Sequence, residues 1–250
     1  MVPFRPTLDR TCSDPMIGTL KDRLGAWQRR LTARVGGDIS TDAARRAARW
    51  HYALVDHGFL RALWRNLHQI APGVYRSNQP SDRQLLALHQ RVGLKSVLNM
   101  RGKSQNSFYL FEAEACAALG IELIDLPMSA SVAPTRERLE QVIAALHTMP
   151  KPFLIHCKSG ADRTGLAAVL YQLLVEGRPY PEARRQLSLR YLHVENSPAG
   201  VQDHLLRWYE AAQGRTGIGF MDWLRTAYDP ALVTASFARW RAGDRDLGDA

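Results

Sequence analysis

The sequence of 250 residues contains few cysteines and no long apolar run. Its three cysteines, Cys12, Cys116 and Cys157, are widely spaced and form no metal-ligand pattern, so we expect neither a disulfide framework nor a metal site. No apolar stretch approaches the roughly 18 to 20 residues that a membrane-spanning helix needs, and the opening residues lack the apolar stretch of a signal peptide. These absences predict a cytoplasmic protein.

The composition is that of a soluble globular protein, because 46% of the residues are hydrophobic and 23% are charged. The formal net charge of +9 is unevenly distributed: residues 1–70 hold twelve Lys and Arg against six Asp. This excess of positive charge favours an anionic partner. Phosphorylated protein, phosphoinositide, a membrane surface and nucleic acid all qualify, and net charge alone does not separate them.

The chain divides into three parts on its residue patterns. Residues 1–70 are predicted to form a basic helical extension, residues 71–213 the main domain, and residues 214–250 a helical extension with a loose tail from Gly243. In the first part a helix starts at residues 40–42 with one apolar face, and a second helical piece ends before the turn at residues 71–73. The predicted apolar positions are Ala43, Ala47, Trp50 and Leu54, then Leu60, Leu63, Trp64 and Leu67.

The main domain alternates short β-rich runs with helical segments, which predicts an α/β fold. We expect a central, largely parallel sheet of four to five strands flanked by helices, with the active site at the carboxyl ends of the strands. The predicted strands are 74–77, 96–100, 122–126 and 153–156. The predicted helices are 81–91, 107–119, 135–147, 163–176, 181–191, 199–212 and 220–241.

One segment has the order strand, tight loop, helix. The apolar run 153–155 leads into His156, Cys157 and the loop through residue 165, and a helical stretch follows. Such a loop can turn successive backbone N–H groups toward one point, where the helix N-terminus adds its partial positive charge. An anion, most naturally a phosphate group, fits this loop.

The residue types in the loop suit nucleophilic catalysis on that phosphate. A helix N-terminus and a nearby cation lower the pKa of a thiol, so Cys157 is the candidate nucleophile. Arg163, six residues later, carries a planar fork that can bind two phosphoryl oxygens. Thr164 can donate to the cysteine sulfur and stabilise it as a leaving group. Gly160 and Gly165 allow unusual dihedral angles and close packing.

These residues, written HCKSGADRTG, resemble the HCxxGxxR[ST]G signature of the cysteine-dependent protein tyrosine and dual-specificity phosphatases. Segments 74–80, 94–101 and 120–127 agree with the compact dual-specificity-like members, and the resemblance covers residues 74–212. It implies a phosphatase-like fold and phosphate monoester hydrolysis through a phosphocysteine intermediate, without metal or other cofactor. It also implies that His156 orients the loop and that Lys158, Ser159, Gly160 and Ala161 bind phosphate.

The sequence departs from this family at the proton donor. Many relatives place an aspartate in the loop that corresponds to residues 127–134, but this loop contains no Asp or Glu, and Ala130 stands at about that position. Two candidates remain. Asp162 precedes Arg163 within the phosphate loop, and Asp125 lies near a strand end, although either carboxylate could instead order its loop. A weak acid would favour aryl phosphates.

Further residues bear on the substrate. Arg101 could line the pocket, and Lys103 and Lys158 could add positive charge there. Lys103 could equally be a solvated surface residue. The cluster His193, Glu195 and Asn196 could approach the site from the second half of the domain.

The predicted substrate is a phosphorylated protein, with a phosphoinositide or inositol phosphate as the alternative. A pseudophosphatase that only binds phosphate is the rival from another class, motivated by the missing loop aspartate. Nucleic acid is disfavoured because only the basic charge supports it. The basic N-terminal helices, with Trp50 and Trp64, could contact a membrane surface peripherally.

Overall fold

The structure, a computed structural model, describes residues 37–54 and 64–244, without the side chains of Tyr52 and Leu54. In this part of the chain one sheet of five strands has the order β1-β2-β5-β3-β4. Only β1 and β2 are antiparallel, and the other three pairs are parallel. The predicted α/β class with a largely parallel sheet is therefore confirmed. The strands are β1 His68–Ala71, β2 Val74–Ser77, β3 Ser96–Asn99, β4 Glu122–Asp125 and β5 Phe153–His156.

The described residues contain nine α-helices, and none of them combines the length and the apolar character that crossing a membrane requires. Three short 3₁₀ turns, 184–186, 189–191 and 198–200, lie between the later helices. The helices are α1 Asp42–Leu54, α2 Asp82–Val92, α3 Ser107–Leu119, α4 Arg136–Thr148, α5 Asp162–Leu174, α6 Tyr180–Ala183, α7 Val201–Thr216, α8 Phe220–Thr226 and α9 Pro230–Arg241.

Helices cover both faces of the sheet, which explains why its central strands are buried at every position. In β5, Phe153 and Ile155 join the core formed with α4, α5 and α7, whereas Leu154 joins a second core with α2 and α3. Successive side chains of a strand point to opposite faces, so two separate cores are required. The carboxyl ends of β2, β5 and β3 lie side by side, because Ser77 and Asn99 are both in register with His156.

The strand β1 was not predicted. The sequence reading placed a helical piece through Leu67 and began the domain at residue 71, whereas the sheet already begins at His68. The first residues of that helical piece lie outside the described residues, and Trp64 to Leu67 are not helical. The turn at residues 71–73 is correct, but it closes a β-hairpin. A run of four residues with a single buried pair gives too weak a periodicity to identify a strand.

The first helix has the predicted start, but its buried face is different. Ala48 and His51 are buried, while Ala43 is exposed and Trp50 is 69% exposed. Arg45 and Arg49 explain the difference, because both guanidinium groups lie over the ring of Phe111 on α3. Arg45 also forms an ion pair with Glu114 of α3, and Arg49 forms one with Asp82 of α2. These charged contacts determine which face of the first helix turns inward.

The C-terminal helices share the core of the main domain. Phe220 and Trp223 of α8 and Phe237 of α9 belong to the same hydrophobic cluster as α5 and α7, so packing is continuous across the predicted division at residue 213. The single predicted helix 220–241 is wrong, because it is broken before Asp229, whose side chain caps α9. The predicted helix 181–191 is likewise wrong: it is α6 followed by two 3₁₀ turns. Most of the predicted loose tail lies outside the described residues.

Candidate active site

The signature loop lies where the sequence predicted, between the end of β5 and the first turn of α5. Cys157 follows β5 directly and is fully buried, and Asp162 and Arg163 begin α5. The amide of Gly160 donates a hydrogen bond to the sulfur of Cys157 at 3.3 Å. The loop therefore already directs one backbone N–H toward the nucleophile, as anion binding by loop amides requires.

Gly160 is at a position that no other residue fits. Its φ is +74°, in the left-handed region that favours glycine. A Cβ at this position would lie 2.6 Å from the amide nitrogen of Asn78 and from the carbonyl of Ser77, both on the backbone. Strand β2 thus packs directly against the phosphate loop, and a side chain would push the two apart.

Arg76 supports the loop from outside, and the sequence reading missed it. This fully buried residue of β2 donates through Nη2 to the carbonyls of Gly160 at 2.7 Å and Ala161 at 3.3 Å, and through Nη1 to the backbone and side chain of Gln186. Its guanidinium group lies 3.7 Å from the ring centre of Tyr191. Arg76 therefore binds two carbonyls of the loop on its outer side and ties them to Gln186.

The charge of Arg76 survives its burial. Burial lowers the pKa of this residue to about 10, so the side chain is protonated at neutral pH. A cation in the middle of a buried strand is the signal that could have identified it, because buried charges are rare without dedicated partners.

Asn66 is a second supporting residue that the sequence reading missed. Its side-chain amide donates to the carbonyl of Ser159 at 3.1 Å and to that of Tyr191 at 3.0 Å. The backbone amide of Gln79 donates to the carbonyl of Lys158 at 3.3 Å. Successive carbonyls of the loop are therefore bound on its outer side, while the side chains of Lys158 and Ser159 are exposed.

The environment of Cys157 favours the thiolate. Burial alone would raise the pKa of its thiol, but the charge of Arg163 and the hydroxyl and amide of Thr164 hold the pKa below its ordinary value. The nearby charge of Asp162 acts in the opposite direction. By contrast, burial raises the pKa of Cys116 to about 12. Of these two free cysteines, only Cys157 is suited to act as a nucleophile.

Arg163 is held by two backbone carbonyls and keeps one donor nitrogen without an acceptor in the described part of the chain. Nη1 donates to the carbonyls of Met100 and Met128, both at 3.3 Å. Its buried Nε has no acceptor among the residues that the structure describes. The two carbonyls fix the group in place, and the unpaired Nε is a donor suited to an oxygen of a phosphoryl group.

His156 connects the loop to a buried polar chain. Its Nε2 lies 2.7 Å from Glu112 Oε1, and its Nδ1 lies 3.4 Å from the carbonyl of Cys157. Glu112 also accepts from Gln79, whose side-chain oxygen accepts from Arg101. The orienting role of His156 stays a prediction. Arg101 is the last residue of this series of hydrogen-bonded side chains, and its guanidinium group lies 3.4 Å from the ring centre of Phe108. Its contact with substrate stays a prediction.

The loop of residues 127–134 is held at both ends. Its Met128 carbonyl accepts from Arg163, its Ser129 carbonyl accepts from Gln202, and its Ala133 amide donates to Thr234 of α9. The loop that lacks a proton donor is therefore fastened to the phosphate loop and to the C-terminal helices.

The two candidate proton donors have different surroundings, and neither is an isolated acid. Asp125 accepts through Oδ1 from Asn99 at 2.9 Å and through Oδ2 from the hydroxyl of Tyr109 at 2.6 Å. Both oxygens are thus bound to donors, which is the arrangement of a carboxylate that orders its loop. Asp162 bonds through Oδ1 to Nδ1 of His193 at 2.7 Å.

His193 links Asp162 to a second carboxylate. Its Nε2 makes a short hydrogen bond to Asp203 of α7, and the side chain is almost completely buried. Burial alone would lower the pKa of His193, but the hydrogen bonds to Asp162 and Asp203 raise it to about 9. The residue is therefore protonated at neutral pH. The segment 193–196 does reach the site as the sequence predicted, but Glu195 pairs with Arg207 instead of facing the loop.

No group of three or more His, Cys, Asp or Glu side chains in residues 37–54 and 64–244 has an arrangement that could hold a metal ion. The site is built from loop amides, one guanidinium group and the thiol. These groups can bind a phosphate dianion, attack its phosphorus and stabilise the charge that spreads over its oxygens.

Comparison with known proteins agrees with this geometry. A family model described as a DSP-PTPase phosphatase fused to NAD+ kinase matches residues 65–199. The chain is similar to the dual specificity protein phosphatase TpbA of Pseudomonas aeruginosa, with 33% identity over 162 residues, which cover 61% of this chain and 67% of that protein.

Parts of the chain also align with solved structures. The crystal structure of P. aeruginosa TpbA aligns with a TM-score of 0.45 and 24% identity over 65% of this chain and 90% of that one. Human DUSP28 aligns with a TM-score of 0.43 and 20% identity over 60% of this chain and 95% of that one. The core catalytic domain of the PP-IP phosphatase SIW14 from S. cerevisiae aligns with a TM-score of 0.45 and 20% identity over 60% of this chain and 93% of that one.

Proposed function

Because the chain belongs to the DSP-PTPase phosphatase family and is a phosphatase, we propose that it hydrolyses phosphate monoesters in two steps through a phosphocysteine at Cys157. The observation that carries this proposal is the loop itself: the buried sulfur of Cys157 accepts a hydrogen bond from the Gly160 amide at 3.3 Å, and the unpaired Nε of Arg163 belongs to the same loop. The lowered pKa of Cys157 supplies the thiolate.

In the first step the thiolate of Cys157 attacks phosphorus in line, and the bond to the substrate oxygen breaks. The loop amides from Lys158 to Ala161 and the guanidinium group of Arg163 stabilise the three peripheral oxygens, a task that metal ions perform in other phosphoryl transfers. In the second step water cleaves the phosphocysteine. Thr164 then stabilises the departing thiolate, and Asp162 is the proposed proton-transfer group.

The proposed substrate is a phosphorylated protein, and the alternative is a phosphoinositide or inositol phosphate. The relative TpbA, named as a dual specificity protein phosphatase, supports the first. The exposed position of Lys158, and the acidic residue within the loop, favour the second. A cytoplasmic location and peripheral membrane contact stay predictions. The predicted N-terminal helices on which the membrane contact depends fall mostly outside the described residues.

A binding-only function is the second candidate, and one observation favours it. Residues 127–134 contain no carboxylic acid, and the carboxylates of Asp125 and Asp162 are both engaged in hydrogen bonds. Such a protein would bind phosphorylated partners without turnover.

The test is phosphate release from a phosphotyrosine peptide and from a set of phosphoinositides, without added metal and with Cys157→Ser protein as the blank. Release that disappears in the variant supports the phosphatase, and the better substrate class decides between protein and lipid. Binding of the phosphopeptide without any release would leave the binding-only function.

A further inference from the structure

A cavity with a volume of about 140 Å³ lies beside helix α2, outside the signature loop. Its volume is close to that of an engineered apolar cavity of ~150 Å³ that binds benzene, so one aromatic ring or a branched alkyl group fits it. Its described lining residues come from the segment before β1, the end of β2, α2 and β5, and none of them belongs to residues 156–165. The cavity is therefore a second place in the domain where a small molecule can bind.

Helix α2 supplies one wall of the cavity through a single face. The four lining residues of this helix have the spacing i, i+3, i+4 and i+7, which places them on the same side. They are Gln84, Ala87, Leu88 and Arg91. Leu88 is buried in the second core together with Leu154 of β5, so these two leucines form an apolar floor. Ala87 is exposed, and its small side chain leaves space at the mouth.

The segment before β1 supplies a second wall, and hydrogen bonds fix it. The carbonyl of Arg65 accepts from the backbone amide of Asn78 at 3.2 Å, and the side chain of Asn78 donates to the carbonyl of Trp64. On the wall formed by α2, the side-chain oxygen of Gln84 accepts from the backbone amide of Ser81 at 2.9 Å within a capping box. The protein's own hydrogen bonds thus hold both walls, so the cavity is pre-formed, as small-molecule sites usually are.

The rim of the cavity is basic. Arg65 and Arg91 line it and are exposed, whereas its lining within the described residues includes no acidic side chain. The salt bridges formed among residues 37–54 and 64–244 also involve neither arginine. Arginine binds a carboxylate through two parallel hydrogen bonds. Two such groups above an apolar floor suit a ligand that is apolar at one end and anionic at the other.

We infer that this cavity binds a small carboxylic acid that carries one aromatic ring or a branched alkyl group. The apolar part lies against Leu88 and Leu154, and the carboxylate bonds to Arg65 and Arg91. The ligand adjoins the carboxyl end of β2, which packs directly against the phosphate loop. The site shares no described residue with that loop and does not depend on phosphatase activity.

The first experiment is a calorimetric titration of the wild-type protein with phenylacetate, benzoate and isovalerate in the presence of saturating inorganic phosphate. Phosphate occupies the signature loop, so a carboxylate that binds there would be displaced. We expect a Kd of about 0.1 to 1 mM for the best of the three acids, as is typical of a ligand with roughly ten non-hydrogen atoms. Benzyl alcohol, which lacks the charge, and acetate, which lacks the apolar group, should bind at least about tenfold more weakly.

Three results of this titration would overturn the inference. The first is that none of the three acids binds. The second is that phosphate abolishes their binding, because the acids then occupy the signature loop. The third is that benzyl alcohol binds as tightly as the acids, because the arginines then contribute nothing.

The second experiment repeats the titration with variants of the rim and the mouth. Arg65→Gln and Arg91→Gln should each raise the Kd by about tenfold, because each removes a hydrogen bond to a charged group. Ala87→Leu should raise it at least as much, because the larger side chain fills the mouth from an exposed position on a helix. Arg83→Gln, at an exposed position of the same helix and outside the cavity, is the matched control and should keep the wild-type Kd.

The third experiment locates the ligand by the methyl resonances of leucine in isotopically labelled protein. The methyl signals of Leu88 and Leu154 should shift during the titration with phenylacetate and should not shift in Ala87→Leu. Leu139 of α4, which is buried in the other core, is the internal control and should not respond. Wild-type affinity in a folded Ala87→Leu protein, or shifts at Leu139 without shifts at Leu88, would show that the acid binds elsewhere and would overturn the assignment.

Discussion

Nη2 of Arg76 donates to the carbonyl of Gly160 at 2.7 Å, so a buried cation of strand β2 holds the back of the phosphate loop. The bond joins two segments that are 84 residues apart in the chain. It shows that the shape of the loop depends on a residue outside the signature.

Arg76→Lys should therefore damage the loop although it keeps the charge. A lysine cannot reach the loop carbonyls and Gln186 together, and each lost charged hydrogen bond costs about 1.5 to 3 kcal/mol. We expect a decrease of kcat/KM of at least tenfold and a lower free energy of unfolding, measured by phosphate release and urea denaturation. Arg83→Lys, on the exposed side of α2, is the control. Wild-type kinetics in Arg76→Lys would show that the loop keeps its shape without the guanidinium group of Arg76.

Gly160→Ala should abolish activity. The substitution adds the left-handed strain of about 1 to 2 kcal/mol and a Cβ that lies 2.6 Å from the backbone of β2. Gly177→Ala is a matched control, because Gly177 has φ +66° and no atom within 4 Å of the added Cβ. The control should lose stability through strain alone and keep its kcat. Equal activities of the two variants would contradict the close packing of β2 on the loop.

Cys157 should react with iodoacetamide at a pH at which an ordinary thiol does not. The charge of Arg163 and the contacts with Thr164 overcome burial and lower its pKa, so the rate of alkylation should reach half its maximum below the pH of ~8.5 expected for a free thiol. Arg163→Met should move this midpoint upward. The buried Cys116 is an internal control, because its pKa of about 12 keeps it unreactive in the folded protein. The measurement is mass spectrometry of each alkylated peptide as a function of pH.

His193 should make stability depend on alkaline pH. Its folded-state pKa of about 9 lies above the value of about 6.5 expected in the unfolded chain. A group with a raised pKa stabilises the fold fully below its unfolded pKa, and the contribution is lost as the pH rises through the folded pKa. We expect the wild-type free energy of unfolding to fall between pH 6.5 and 9 by at most about 3 kcal/mol relative to His193→Gln. Parallel stability curves for the two proteins would contradict the buried imidazolium.

The chemistry of the loop was readable from the sequence because its parts are contiguous. Cys157, Gly160 and Arg163 fall within seven residues, and local geometry places them around one point. The central strands were also predictable, because β5 begins with three apolar residues and β3 contains the apolar pair Val97 and Leu98. Their neighbours along the sheet fix where the site lies.

The supports of the loop were not readable in this way. Arg76, Asn66 and His193 act through contacts with residues that are distant in the sequence. A local sequence pattern does not predict such contacts. The face of α1 was mispredicted for a related reason. Trp50 fits an apolar helical stripe, but the contacts of Arg45 and Arg49 with α3 and α2 turn it outward.

The order of these supports along the chain bears on how the enzyme matures during synthesis. The complete signature ends at residue 165, but Gln186, Tyr191, His193 and Asp203, which brace it, all follow. A nascent chain that has emerged only through the signature thus carries the nucleophile without the braces on Arg76 and Asp162. A chain that ends at residue 165 should accordingly bind phosphate more weakly than one that extends through α7.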